Sequence, residues 1–267
     1  MKKYAFTFSG QQTFSGAITK HSFLLRCMPG TYPFQRSYAH KLTITPFTAL
    51  THIADVYGNE MYTGTIDKQH DSFSFTATGF VLCSKYLTHD PLDRLYLYPT
   101  RLTQPSPEIS RLIASAALPE DPWARAQSLC DLTCRLLRFT AETKNKTAAD
   151  AFTAGQGDAK DFAHVFLTLC RLSGIAARFV SGLAVGISQI HCWAEVYCSG
   201  VWRALDPCTG NTVEEGYLKI AHGPDYDACA LERGCFQDTS GQVSMVQSLS
   251  VQVTEHVIRT RDTVPHA

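Results

Sequence analysis

"HCWAEVYCSGVWRALDPCTG", residues 191–210, is the stretch whose reading decides the fold. Two short runs rich in β-branched and aromatic residues flank Ser199-Gly200, a pair suited to a tight hairpin turn. If Cys198 pairs with Val201, Trp193 stands opposite Asp206, and positions 191, 193, 195 and 197 share a face with 202, 204 and 206. His191 and Asp206 are then diagonal neighbours within reach of an imidazole–carboxylate hydrogen bond. Such a pair holds an imidazole in one tautomer and stabilises its cationic form. A histidine on a strand is ordinarily a surface or core residue, and only the carboxylate placed by this register gives His191 a chemical reading.

Upstream, "GQGDAKDFAHVFLTLCRLSG" (155–174) predicts a helix starting near Ala159: Phe162, Val165, Phe166, Leu169 and Cys170 recur at helical spacing, and Gly174 stops it. A helix N-terminus offers unpaired N–H groups and a positive dipole end, which a thiolate nucleophile and its oxyanion require. Gly155 and Gly157 permit close backbone approach. The residue at the position suited to a nucleophile is Ala159, which carries no reactive group.

The remaining chain sets bounds. Its 267 residues, 45% hydrophobic and 18% charged, suffice for one large domain or two smaller ones. Lys plus Arg (24) equal Asp plus Glu (24), so no net field draws nucleic acid or an anionic membrane, and neither partner is expected. Neither a leader-like apolar run nor a membrane-length segment is seen, which predicts a soluble, cytoplasmic protein. Ten cysteines in a chain with a core this large read as reduced thiols rather than a disulfide framework. His191, Cys192, Cys198 and Cys208 lie close in sequence, but there is no C-x2-C pair and His191 and Cys192 point to opposite strand faces, so no metal is expected.

The order along the chain predicts an α+β protein with an N-terminal β-rich domain (1–100) and a second domain (101–267) that packs a helix on an antiparallel sheet. Short runs at Tyr4–Phe8, Ser22–Cys27, Lys41–Ile44 and Ser72–Ser84 read as strands, broken near Pro29-Gly30, Gly58-Asn59 and Gly64. Ser106 before Pro107, and Asp121 before Pro122, read as helix starts.

With these residues placed, the chain resembles the bacterial transglutaminase-like cysteine enzymes of papain-like fold. The resemblance rests on "GDAKDFAHVFLTLCRLSGIAARFVSG" against the family's G-x-C-[RQ]-D-F-A-H helix and following strand. It continues through "HCWAEVY" and "WRALDPCTG", and through "DVYGNEM" (55–61) and "AHGPDYDACALERG" (221–234), in the right order along nearly the whole chain. The resemblance implies a general base at His191, an orienting carboxylate at Asp206, an aromatic neighbour at Trp193, and D-F-A-H motif residues at Asp161 and His164. Ala159 stands where the family has its cysteine; Pro224 and Cys208 are milder departures that bear on substrate contacts.

The resemblance further implies a cysteine amide-bond hydrolase acting on a peptide or γ-glutamyl-type amide through an S-acyl intermediate, with no cofactor. Backbone N–H groups around residues 158–160 would receive the oxyanion, joined by Gln156 if its amide faces the site rather than solvent, and Gly157, Asp158, Trp193 and Gln156 are the expected substrate-binding residues. Transfer to an amine, as in Gln–Lys transamidation, is the first alternative; a natural non-catalytic peptide-binding protein is the second. Cys-to-Ala removes only the sulfur while His191, Trp193 and Asp206 remain, the pattern of a deliberate inactivation. The N-terminal β domain is expected to border the cleft.

Overall fold

The computed structural model describes residues 1–141, 143–238 and 241–256. The N-terminal sheet is built on one long strand, β1 (Lys2–Leu25), with β2 (Gln35–Thr45), β3 (Thr51–Ala54), β4 (Glu60–Ile66) and β5 (His70–Cys83) around it. The two runs expected as separate strands at its ends are thus one. Its first half pairs with β5, from Lys2 opposite Cys83 to Thr13 opposite Ser72, and its second half pairs with β4. Tyr4, Phe6 and Phe8 alternate inward. Gly10 lies within the strand with the Phe75 ring over it: an added Cβ would stand 2.4 Å from Phe75 Cε1. Gly64, expected as a break, likewise lies inside β4, its Cα face covered by the Phe23 ring.

A helical middle follows. In α1 (Pro107–Ser115) the Ser106 hydroxyl accepts from the Ile109 N–H, and in α2 (Pro122–Leu136) the Asp121 carboxylate accepts from the Ala124 N–H, so both helix starts stand as expected. Next come β6 (Arg138–Phe139), α3 (Ala148–Ala154), β7 (Gln156–Gly157) and α4 (Ala159–Leu172). Gly174, at φ +74°, closes the turn after α4. That helix is buried along almost its whole length, from Phe162 and Val165 to Leu169 and Cys170.

The helix packs on a second, antiparallel sheet of β8 (Ala177–Ala184), β9 (His191–Cys198), β10 (Val201–Asp206), β11 (Asn211–Thr212) and β12 (Tyr217–Gly223), in the order β11-β10-β9-β8-β12. Cys192, Ala194, Val196 and Cys198 on one face of β9 join the same core as α4. The hairpin register is the expected one, with Val201 opposite Cys198.

After the short helix α5 (Tyr226–Cys229), the chain returns to the first sheet: β13 (Glu232–Asp238) pairs with the second half of β1, and β14 (Met245–His256) with the first half. The N-terminal sheet is therefore completed by the last described part of the chain. All ten cysteines are unpaired. Among the described residues, no helix is long and apolar enough to cross a membrane.

The β13 junction yields a pH prediction. Glu232 accepts hydrogen bonds from the Gln12 and Gln247 amides, and burial pushes its carboxyl up to about 7 against the opposing effect of Gln247. A carboxyl with a raised pKa in the folded state contributes stability that is fully present below the ordinary Glu value and lost as pH rises toward 7. Glu232→Gln should therefore match the parent near pH 4.5 and exceed it by about 1–3 kcal/mol at pH 8. Urea unfolding at the two pH values checks this; an equal offset at both would refute it.

Candidate active site

His191 opens β9 and Ala159 opens α4, so the two lie at the same end of the helix-on-sheet pair. Both line one cleft of about 610 Å³, together with Asp158, Lys160, Cys192, Cys208 and Tyr226, with the Phe139–Ala141 segment and the 186–190 loop among its walls. His191 Nε2 lies 2.8 Å from Asp206 Oδ2, as the hairpin register requires. With a carboxylate accepting at Nε2, that nitrogen carries the proton, which leaves Nδ1 to take or give a proton.

Asp206 is fully buried and held from three sides. Besides His191, the Tyr217 hydroxyl donates to Oδ2 at 2.8 Å and the Cys208 N–H to Oδ1 at 2.9 Å. Burial alone would raise the Asp206 carboxyl, but the His191 hydrogen bond and charge, with those from Tyr217 and Cys208, hold it below the usual carboxylate range. The acceptor therefore stays ionised beside the imidazole. Sequence reasoning missed Tyr217, since a tyrosine 11 residues beyond the aspartate on another strand has no local signal.

The start of α4 is set by a reciprocal cap. Asp158 Oδ1 accepts from the Asp161 N–H at 3.0 Å, and Asp161 Oδ2 accepts from the Asp158 N–H at 3.2 Å. The first intrahelical bond runs from Phe162 N–H to Asp158 C=O, so the Ala159 and Lys160 N–H groups have no intrahelical partner. Asn145 ties this turn down, donating to Gln156 C=O at 2.8 Å and Asp161 Oδ2 at 3.1 Å. Burial and the neighbouring Asp158 charge raise the Asp161 carboxyl. Gly157 permits the turn because an added Cβ would sit 2.5 Å from Asp161 Cβ. His164, buried and with its pKa lowered by burial to about 3, accepts at Nε2 from the Tyr226 N–H. Asp161 and His164 thus build the helix start and its neighbour α5 rather than the cleft surface.

The residues named from sequence separate accordingly. Ala159, Asp158 and His191 face the cleft. Gly157 is buried in the loop, and Gln156 Oε1 accepts from the Arg138 guanidinium at 2.7 Å. Trp193 is buried, with its ring 6.2 Å from that of His191 and roughly parallel to it. Gly182, opposite His191, leaves room for that indole: an added Cβ would stand 2.5 Å from Trp193 Cη2.

Beneath Trp193 lies a buried polar chain that sequence reasoning also missed. The indole N–H donates to Tyr86 Oη at 3.2 Å, and Tyr86 donates to Glu195 Oε1 at 2.7 Å. Glu195 is also bound by Lys219 Nζ at 2.8 Å and by Arg178. Burial alone would raise Glu195, but the Arg178 and Lys219 charges hold its carboxyl well down, while burial brings Lys219 down to about 8. Gln35 closes the chain, its amide group donating to Lys219 C=O and accepting from the Lys219 N–H.

Here one expectation is corrected. The described cleft lining runs from Phe139 to Tyr226 and contains no residue of 1–100. The N-terminal region instead supports the catalytic-type sheet from below, through Phe34, Gln35 and Tyr86, and clasps its edge where Asn59 Nδ2 donates to His222 C=O and Asn59 Oδ1 accepts from His222 N–H. Tyr86→Phe should leave the buried Trp193 N–H without a partner and remove one of the two donors to Glu195 Oε1, the other being Lys219, at a cost of about 1–3 kcal/mol. Denaturant unfolding with the near-ultraviolet tryptophan signal checks this, and unchanged stability would count against the chain of bonds.

Comparison with known proteins agrees with this architecture. Residues 111–207 match the transglutaminase-like superfamily, and residues 4–82 match the bacterial transglutaminase-like N-terminal region. A solved structure from Cytophaga hutchinsonii, named provisionally as a cysteine protease, superposes with a TM-score of 0.80 over 97% of this chain and 93% of that one, at 19% identity. An uncharacterized protein of Mycobacterium tuberculosis is 27% identical over 239 residues, covering 72% of this chain and 74% of its own. One of Mycobacterium leprae is 28% identical over 120 residues, covering 41% of this chain and 42% of its own. With the helix-on-sheet core matched by the one family and the N-terminal sheet by the other, the chain belongs to the bacterial transglutaminase-like proteins, with a papain-like α+β core behind an N-terminal β region.

Proposed function

We propose that this site is built for cysteine-type amide-bond hydrolysis, with position 159 as the nucleophile position, and that the chain as it stands, with Ala159, is an inactivated Cys-to-Ala form. The observation that carries the reading is the Asp206–His191 pair opening onto the same cleft as the first residue of α4. A thiol at 159 would be drawn toward thiolate by the helix N-terminus and by a protonated His191. It would attack the carbonyl carbon of an amide, and the Ala159 and Lys160 N–H groups, which have no intrahelical partner, would receive the resulting oxyanion. His191, through Nδ1, would pass a proton to the departing amine, leaving an S-acyl intermediate. Water would then release the acid and regenerate the thiol; an amine acceptor in its place would give transamidation.

A second reading is favoured by Ala159 itself: a chain that retains the cleft and lacks the nucleophile binds its amide ligand without turning it over. Restoring the nucleophile separates the two. Ala159→Cys should release amine from peptide amides and form an S-acyl species visible by intact mass, while the parent chain does neither. A restored thiol that alkylates readily but accumulates no acyl-enzyme with any peptide or glutamine amide would favour the binding reading.

A further inference from the structure

The wall of the cleft next to Ala159 is a strand edge. β6 and β7 run parallel, with Arg138 opposite Gln156 and Phe139 opposite Gly157. Arg138 N–H donates to Gly155 C=O, and Thr140 N–H to Gly157 C=O, both at 2.9 Å. The alternation of a parallel ladder then turns the N–H and C=O of Phe139, between them, to the opposite side. Among the described residues no backbone group pairs with that side of β6. Phe139 is 58% exposed and lines the cleft together with Ile187 and Ile190. An outward donor and acceptor on one residue is what an extended chain pairs with, and an exposed aromatic ring beside it selects an apolar side chain.

We infer that the ligand of this cleft is an extended peptide that docks as a third strand on the free side of β6, exchanging two main-chain hydrogen bonds with Phe139 and laying an apolar side chain on its ring. The inference deepens the amide-hydrolase reading by naming the substrate class, and it rests on that reading for the direction in which the peptide leads, toward position 159. Since β7 runs directly into α4, a strand added on β6 is held in register with the helix N-terminus. A free amino acid amide or an isolated γ-glutamyl amide has no main chain to make this pairing and should bind poorly.

The test is a binding experiment on the chain as it stands, which does not consume its ligand. The probes are fluorescein-labelled, amidated hexapeptides of alanine and glutamine in which one leucine is walked through the positions, followed by N-methylation of the best binder one amide at a time. Leucine at one position should tighten binding about tenfold, and Phe139→Ala should abolish that preference. N-methylation should weaken binding about tenfold at one amide and less than twofold at its neighbours. Absence of binding by every peptide, or a uniform response to leucine position and to N-methylation, would overturn the strand-docking inference. Peptide cleavage by Ala159→Cys without amide selectivity would leave the hydrolase reading standing and remove the docking. Selective binding without any cleavage would keep the docking and remove the hydrolase reading.

Discussion

Ala159→Cys is expected to create a thiol that iodoacetamide alkylates about 10–30 times faster at pH 6 than an ordinary exposed thiol. The size follows from two opposing effects. An unperturbed thiol is ionised at only about 0.3% at pH 6, whereas one whose pKa is lowered to about 6 by a helix N-terminus and a neighbouring imidazolium is half ionised, a gain of about 10². A thiolate of lower pKa is a weaker nucleophile, with a Brønsted slope of about 0.4–0.5, which returns about one order of magnitude. The chain carries its own controls. Cys235 on β13 is exposed, while Cys192 and Cys208 line the same cleft but have pKa values pushed up by burial. Brief labelling followed by peptide mapping should place the label first at position 159, and His191→Ala in that background should remove most of the advantage. Equal labelling at Cys235 and position 159 would show that the start of α4 does not activate a thiol.

How far the sequence discloses this site depends on the range of the interactions that build it. The His191–Asp206 pair is legible because its geometry is local: a period-two strand and a two-residue turn leave one register, and the register alone places the carboxylate. The start of α4 is legible for the same reason, since Asp158, Gly157 and the helical recurrence after Ala159 lie within one stretch. Tyr217 and Tyr86 are not, because a lone tyrosine 11 or 107 residues from its partner has no periodicity or spacing to mark it. The N-terminal sheet shows the same limit. Glycine reads as a turn unless a ring from another strand covers it, and Phe75 over Gly10 and Phe23 over Gly64 are contacts between distant strands. The return of β13 and β14 to β1 closes that sheet across more than 200 residues of chain, as Gln12 bonded to Glu232 (220 apart) illustrates. Glu195 shares the His191 face in the local pattern, but its buried partners come from distant chain: Arg178 on the neighbouring β8, Lys219 on β12 one strand further out, and Tyr86.

The ordering of losses at Asp206, Tyr217 and His191 tests the assignment most sharply, measured as kcat/KM on a cleavable peptide amide in the Ala159→Cys background. Asp206→Asn should cost about 10–10³. An asparagine can offer its amide N–H to Nε2, which would put the imidazole proton on Nδ1, the nitrogen that must accept from the thiol; in Ser-His-Asp sites the equivalent change costs about 10⁴. A thiol is more acidic than a hydroxyl and leans less on its base, so the smaller loss is expected. Tyr217→Phe removes one of three donors to Asp206 while leaving the tautomer correct, and should cost about 2–10-fold. It should also raise the lower limb of the pH–rate profile, because a carboxylate with fewer donors protonates more readily and Tyr217 is among the groups that hold Asp206 low. His191→Ala should exceed both, since it removes the counter-charge to the thiolate and the proton donor to the leaving amine. A merely structural Tyr217 would lower stability without moving the pH profile, and a silent Asp206→Asn beside an inactive His191→Ala would mean that the 2.8 Å contact between them orients nothing that the chemistry uses.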